Sequence, residues 1–120
     1  MEVRNREEVP AFTTKDGSTI RELLAYRNSE IRNQSLAEAI IPVGGATVEH
    51  LHPKAEEIYY ILKGTGKMKI EGEISEVGPL DAIAIPPGKA HKIWNIGTEE
   101  LVLLCCCAPA YEDGDTVLLE

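Results

Sequence analysis

Apolar positions in this chain fall in short runs broken by Gly, Pro and Asp. Within the runs, β-branched and aromatic residues are frequent, and several alternate with polar ones. That texture predicts strands over residues 18–24, 35–41, 46–52, 58–62, 67–70, 74–77, 82–85, 91–95, 101–107 and 116–119. Asp16-Gly17 is a hairpin signal ahead of the first of these. Gly44-Gly45, Pro53, Gly64-Thr65-Gly66, Glu71-Gly72-Glu73, Pro86-Pro87-Gly88, Gly97 and Asp113-Gly114 separate the others. Residues 1–15 hold at most a helical turn that must stop by Pro10. Residues 26–34 are polar and show no period. So many short strands and almost no helix predict an all-β protein. An antiparallel set of this size closes into a barrel or double-sheet jelly roll, because closure removes exposed edges.

The length of 120 residues suits one core, so the expected organisation is a single domain over 1–120. Its barrel core would be 35–107, with strands of 1–34 and 108–120 flanking it. A formal charge of −8 repels phosphate backbones and anionic lipid, so nucleic acid and membrane are not expected partners. The longest apolar run, 101–108, is too short to span a bilayer, and the first residues lack the apolar core of a signal peptide. The three cysteines are consecutive, Cys105 to Cys107, which is no disulfide framework. Together these features predict a cytoplasmic location.

Chemistry concentrates in few residues. Two of the three histidines form His50-Leu51-His52. On a strand both side chains point to one face, with Cα atoms roughly 6.7 Å apart, so both imidazoles can reach one ion. Glu57 begins the returning strand beside them, and His91 arrives from a distant strand after the Pro-Pro-Gly turn. Each alone has a plainer reading: surface histidines, half of an exposed Glu56-Glu57 pair, a hydrogen-bonded core imidazole.

In combination they resemble the cupin superfamily. Its first motif is Gly, five residues, His-x-His, three or four residues, Glu, six residues, Gly. Gly44, His50, His52, Glu57 and Gly64 satisfy every interval. Its second motif is Gly, five residues, Pro-x-Gly, two residues, His, three residues, Asn. Pro86, Gly88, His91 and Asn95 match it, and Leu80 stands where the motif has glycine. Gly78-Pro79, just upstream, is expected to take over that turn. The motifs cover residues 44–95.

The resemblance implies a double-stranded β-helix that holds one divalent metal through His50, His52, Glu57 and His91. Glu56 is the alternative carboxylate, but only Glu57 leaves six residues before Gly64. Three imidazoles and a carboxylate suit Fe, Mn, Co, Ni, Cu or Zn better than Ca or Mg. An octahedral ion would keep two positions open, whereas a tetrahedral zinc would be saturated. The family also implies a homodimer, a small-molecule ligand or substrate, and dioxygenase, decarboxylase, lyase or isomerase chemistry. A non-catalytic ligand-binding or sensing module and a structural metal site are the rival readings.

Strand alternation puts Tyr59 and Ile61 on the face of Glu57, and Ile93 and Asn95 on the face of His91. Tyr59 is the candidate catalytic residue, as a donor or base, although core packing explains it equally. Glu38 is a second candidate base. Asn95 reads as a turn-stabilising residue, and Trp94 as covered by the outer layer or a partner. The cysteines read as small apolar packing, with Cys105 and Cys107 on one face. One thiol beside the metal or substrate is the functional alternative.

Overall fold

The computed structural model describes residues 1–120. Eleven strands follow in chain order: β1 Phe12–Thr13, β2 Thr19–Leu24, β3 Ser35–Ile41, β4 His50–Leu51, β5 Glu56–Lys63, β6 Gly66–Ile70, β7 Glu73–Val77, β8 Ala82–Ile85, β9 His91–Asn95, β10 Leu101–Ala108 and β11 Val117–Leu118. One sheet runs β1-β2-β3-β10-β5-β8 and the other β11-β4-β9-β6-β7. The ladders are antiparallel. From β3 onward the chain passes between the sheets at each connection except the β6–β7 hairpin. This is a double-stranded β-helix, and no helix is long and apolar enough to cross a membrane.

Alternation decides what enters the barrel. Along β5, Glu57, Tyr59 and Ile61 are buried, while Glu56, Ile58, Tyr60 and Leu62 face outward. Along β9, His91, Ile93 and Asn95 point in. On β10, Cys107 lies across from Glu57 of β5 and Ser35 of β3, and Leu103 across from Ile61 and Ala39. The four inner strands therefore run from a polar end (Ser35, Glu57, His91, Cys107) to a closed end (Ile41, Ile61, Asn95, Leu101). The core joins both sheets through Ile41, Ile61, Met68, Ile93, Leu101 and Leu103. Asn95 seals the closed end: its Nδ2 donates to the Ile41 and Glu99 carbonyls at 3.0 and 2.9 Å, and its Oδ1 accepts from Gly97 N at 2.9 Å.

Two local expectations are corrected, the strand over 46–52 and the role of Glu38. The strand anticipated over 46–52 shrinks to His50–Leu51 plus an isolated bridge between Ala46 and Trp94. Val48 N leaves that sheet and donates to Asp16 O, at 2.7 Å, in the β1–β2 connection. Glu38 points out of the barrel, where Arg6 Nε binds both its carboxylate oxygens at 3.0 and 2.9 Å and Arg21 lies at 3.6 Å. It cannot act as a base inside. Gly78, Pro79 and Leu80 share the turn: Asp81 N donates to Gly78 O at 3.1 Å, and Leu80 itself takes the positive φ, 76°. That left-handed conformation is the reason glycine suits the position. Trp94 lies on the outer face of its sheet under two cations, with Lys67 Nζ 4.3 Å and Lys92 Nζ 5.1 Å from its ring centre.

Candidate metal centre

Neighbouring strands bring the three histidines together. His50 of β4 pairs directly with His91 of β9, and His52 follows two residues after His50 on the same face. Their ring centres lie 4.2 Å (His50–His91), 5.0 Å (His50–His52) and 5.5 Å (His52–His91) apart. One nitrogen from each lies within 4.8 Å of the other two. All three side chains are buried.

The tautomers follow from the outer contacts. His50 Nδ1 donates to Val48 O at 2.7 Å, His91 Nδ1 to Lys89 O at 2.9 Å, and His52 Nδ1 to Asp115 O at 3.2 Å. A carbonyl oxygen only accepts, so each Nδ1 carries a hydrogen, and in the neutral ring each Nε2 keeps its lone pair. Glu57 faces two of those lone pairs, with Oε1 3.4 Å from His52 Nε2 and 3.5 Å from His91 Nε2. Glu57 Oε1 and His91 Nε2 are buried without a hydrogen-bond partner. Orphaned buried polar atoms cost free energy, so their convergence is informative. Three lone pairs backed by carbonyls and one free carboxylate oxygen fit a borderline divalent metal. Glu56 faces solvent on the opposite side of β5, so Glu57 is the carboxylate in this cluster.

Electrostatics inside the cluster are strongly coupled. Burial alone would raise the Glu57 carboxyl, but when the facing imidazoles of His52 and His91 are charged their attraction outweighs it and holds the group down to about 2. Burial acts to lower His52, yet Glu57 raises it; burial and the nearby His91 lower His50. Tyr59 lies in the same cavity, its ring centre 6.0 Å from that of His91. Burial, reinforced by the Glu57 charge, raises its hydroxyl well above the usual range. The phenol stays protonated, which makes it a donor rather than a base.

Several neighbours of the cluster escaped the sequence reading. Cys107 Sγ donates to Glu57 Oε2 at 3.3 Å, and burial raises its thiol so that it stays neutral. The structure thus places one thiol of the triplet beside the carboxylate, and Cys105 also lines the cavity. Thr47 Oγ1 accepts from Ile93 N at 3.1 Å. The C-terminal turn Asp113–Asp115 supplies the carbonyl behind His52, and the Asp115 carboxylate accepts from Lys54 N and Ala55 N. Asp16, read only as a turn residue, puts Oδ2 3.5 Å from His50 Nε2. The cluster opens into a cavity lined by small residues, including Ser18, Ser35, Ala37 and Ala39, with Phe12 and Tyr111 among its aromatics.

The fold agrees with the comparisons. This chain belongs to the cupin family: residues 37–107 match the Cupin domain. It is 50% identical over 114 residues, 95% of its length, to an uncharacterized protein of Methanocaldococcus jannaschii, of which 91% is covered. Over 76 residues, 57% of the chain, it is 42% identical to a glucose-6-phosphate isomerase of Sinorhizobium medicae, but it spans only 36% of that protein. Among solved structures, the nucleoside dehydratase Pac13 of Streptomyces superimposes with a TM-score of 0.82 at 17% identity, covering 100% of this chain and 92% of its own. At that identity the likeness concerns the fold alone.

Proposed function

We propose that the protein is a metal-dependent cupin enzyme acting on a small organic molecule, with His50, His52, Glu57 and His91 holding one divalent transition metal. The observation that carries this reading is the clustering of three carbonyl-backed imidazoles, two of which face a buried carboxylate oxygen that has no hydrogen-bond partner. A metal bound there supplies Lewis acidity toward a substrate oxygen. The residues around it do the rest. Tyr59 offers a hydroxyl hydrogen inside the cavity, Cys107 turns one Glu57 oxygen toward its thiol, and the apolar lining excludes water. The relative named as an isomerase favours isomerase chemistry over oxygenation.

Elemental analysis of the purified protein beside His91→Ala tests the reading. The native protein should carry about one equivalent of a transition metal and His91→Ala only a small fraction of it, while circular dichroism shows the fold retained. Full metal retention in His91→Ala rejects the ligand set. Absence of any metal after reconstitution favours a non-catalytic binding module instead.

We infer also that two copies associate. Ile58, Tyr60 and Leu62 leave an apolar row exposed along the outer face of β5, and a second copy of the same row is its simplest cover. Light scattering should give the mass of two chains, and a monomer rejects the inference.

A further inference from the structure

The β1–β2 connection places a second carboxylate beside the histidine cluster. Asp16 Oδ1 is saturated: Thr14 Oγ1 donates to it at 2.7 Å, Ser18 Oγ at 2.6 Å and Ser18 N at 3.0 Å. Those bonds fix the carboxylate plane. The Asp16 carbonyl, bonded to Val48 N at 2.7 Å, anchors the same residue to the segment that precedes His50. A hairpin turn accounts for Oδ1. It does not account for Oδ2, which makes no hydrogen bond, lines the cavity and lies 3.5 Å from His50 Nε2. Glu57 sits against His52 and His91, so the two carboxylates approach different members of the cluster.

Charge around the cavity narrows what can enter. Asp16, Glu22 and Glu57 line it, and no lysine or arginine does. Glu57 is held by imidazoles. Glu22 is held from outside by Arg27, which also binds Glu112 and the Tyr111 carbonyl and is committed there. Asp16 is left as the carboxylate with a free oxygen. A phosphate group would bring about −1.5 to −2 charges into this space with no cationic side chain to meet it, and the positive charge of a bound divalent ion would already be opposed by Glu57 and Asp16.

We propose that Asp16 is a substrate-binding residue, and that the site takes a small uncharged or cationic molecule presenting a hydroxyl or amino hydrogen to Asp16 Oδ2, not a phosphorylated or otherwise anionic one. This rests on the metal-site reading above and names the substrate class of that same site. It separates this cavity from that of an enzyme whose substrate is a sugar phosphate, although 76 residues are similar to one.

The test uses the full chain loaded with Co(II), whose visible absorption reports ligands entering at the metal. Azide is the anionic probe. Imidazole is the neutral probe, since it keeps an N–H to donate when its other nitrogen binds. Asp16→Asn retains an acceptor for Ser18 N and removes the charge. Azide should bind about tenfold more tightly to Asp16→Asn than to the native protein, and imidazole severalfold more weakly. Thr14→Val keeps the charge but frees the carboxylate to rotate; imidazole should weaken there while azide is unchanged. Azide constants within twofold of each other in the native protein and Asp16→Asn, including no binding to either, overturn the proposal. Loss of Co(II) from a folded Asp16→Asn also overturns it, because Asp16 would then be a metal ligand. Failure of the native protein to take up Co(II) is a different result, which rejects the metal-site reading and this proposal with it.

Discussion

The same inner strands build two unlike ends. At the closed end, β3, β5 and β10 contribute Ile41, Ile61 and Leu101, each no more than 2% exposed. Two strand residues further along at a time, those strands change character and finish in Ser35, Glu57 and Cys107. Bulky side chains fill one end, whereas small ones leave a cavity at the other. Polar satisfaction differs in the same sense. Asn95, buried at the closed end, has both side-chain atoms bonded. Glu57 Oε1 and His91 Nε2 at the open end have none. Close packing stabilises the first region, and the second carries unpaired groups that a ligand can satisfy. The contrast teaches that stability and chemistry are divided along the strand axis rather than between elements.

Substitutions at each end should sharpen that contrast. The largest effect belongs to Leu101→Ala, which empties the closed end and should lower unfolding free energy by ~3–5 kcal/mol in a denaturant titration. Metal content per folded molecule should not change. A loss below ~1 kcal/mol would mean that this end is not the packed core. Gly64→Ala comes next. Gly64 has φ of 90°, and an added Cβ would stand 2.7 Å from Glu100 O and 2.9 Å from Leu101 Cα. The cost should be ~2–4 kcal/mol by the same titration.

At the open end, Cys107→Ala should shift unfolding free energy by only about 1 kcal/mol. Competition against a chelator should instead show metal affinity falling roughly tenfold, because Glu57 loses the donor that orients it. Cys107→Ser keeps a donor and should recover most of that affinity; equal weakening in both variants would sink the orienting role. The smallest change is Leu80→Gly, outside both ends. It removes a left-handed strain at an exposed position and should raise stability by ~0.5–1 kcal/mol, net of the greater freedom glycine gives the unfolded chain. Thermal melts of the two proteins side by side would expose a destabilisation.

Much of this was legible in the order of residues. Alternation along 57–61 and 91–95 correctly placed Glu57, Tyr59 and Ile61, and His91, Ile93 and Asn95, on inner faces, because side-chain direction on a strand has a period of two. Motif spacing brought His50, His52, Glu57 and His91 into one reading before any distance was known. The surroundings were not legible, since they depend on pairings distant in sequence. Cys107 meets Glu57 only through the β5–β10 register. Asp115 stands behind His52 across 63 positions. Glu38 was a candidate base whose direction the sequence left open, and its parity on β3 turns it outward to Arg6.

Local physics therefore determined most of this protein's strands and turns and which side chains share a face, and the family resemblance of its motifs singled out the four candidate ligands. A period of two and a glycine at a left-handed turn need only neighbouring residues to act. Tertiary structure alone decided which hydrogen each imidazole keeps, which thiol touches Glu57, and that Asp16 of a simple hairpin ends beside His50. Those outcomes arise where strands remote in sequence become neighbours in space, and each depends on the register at which they pair.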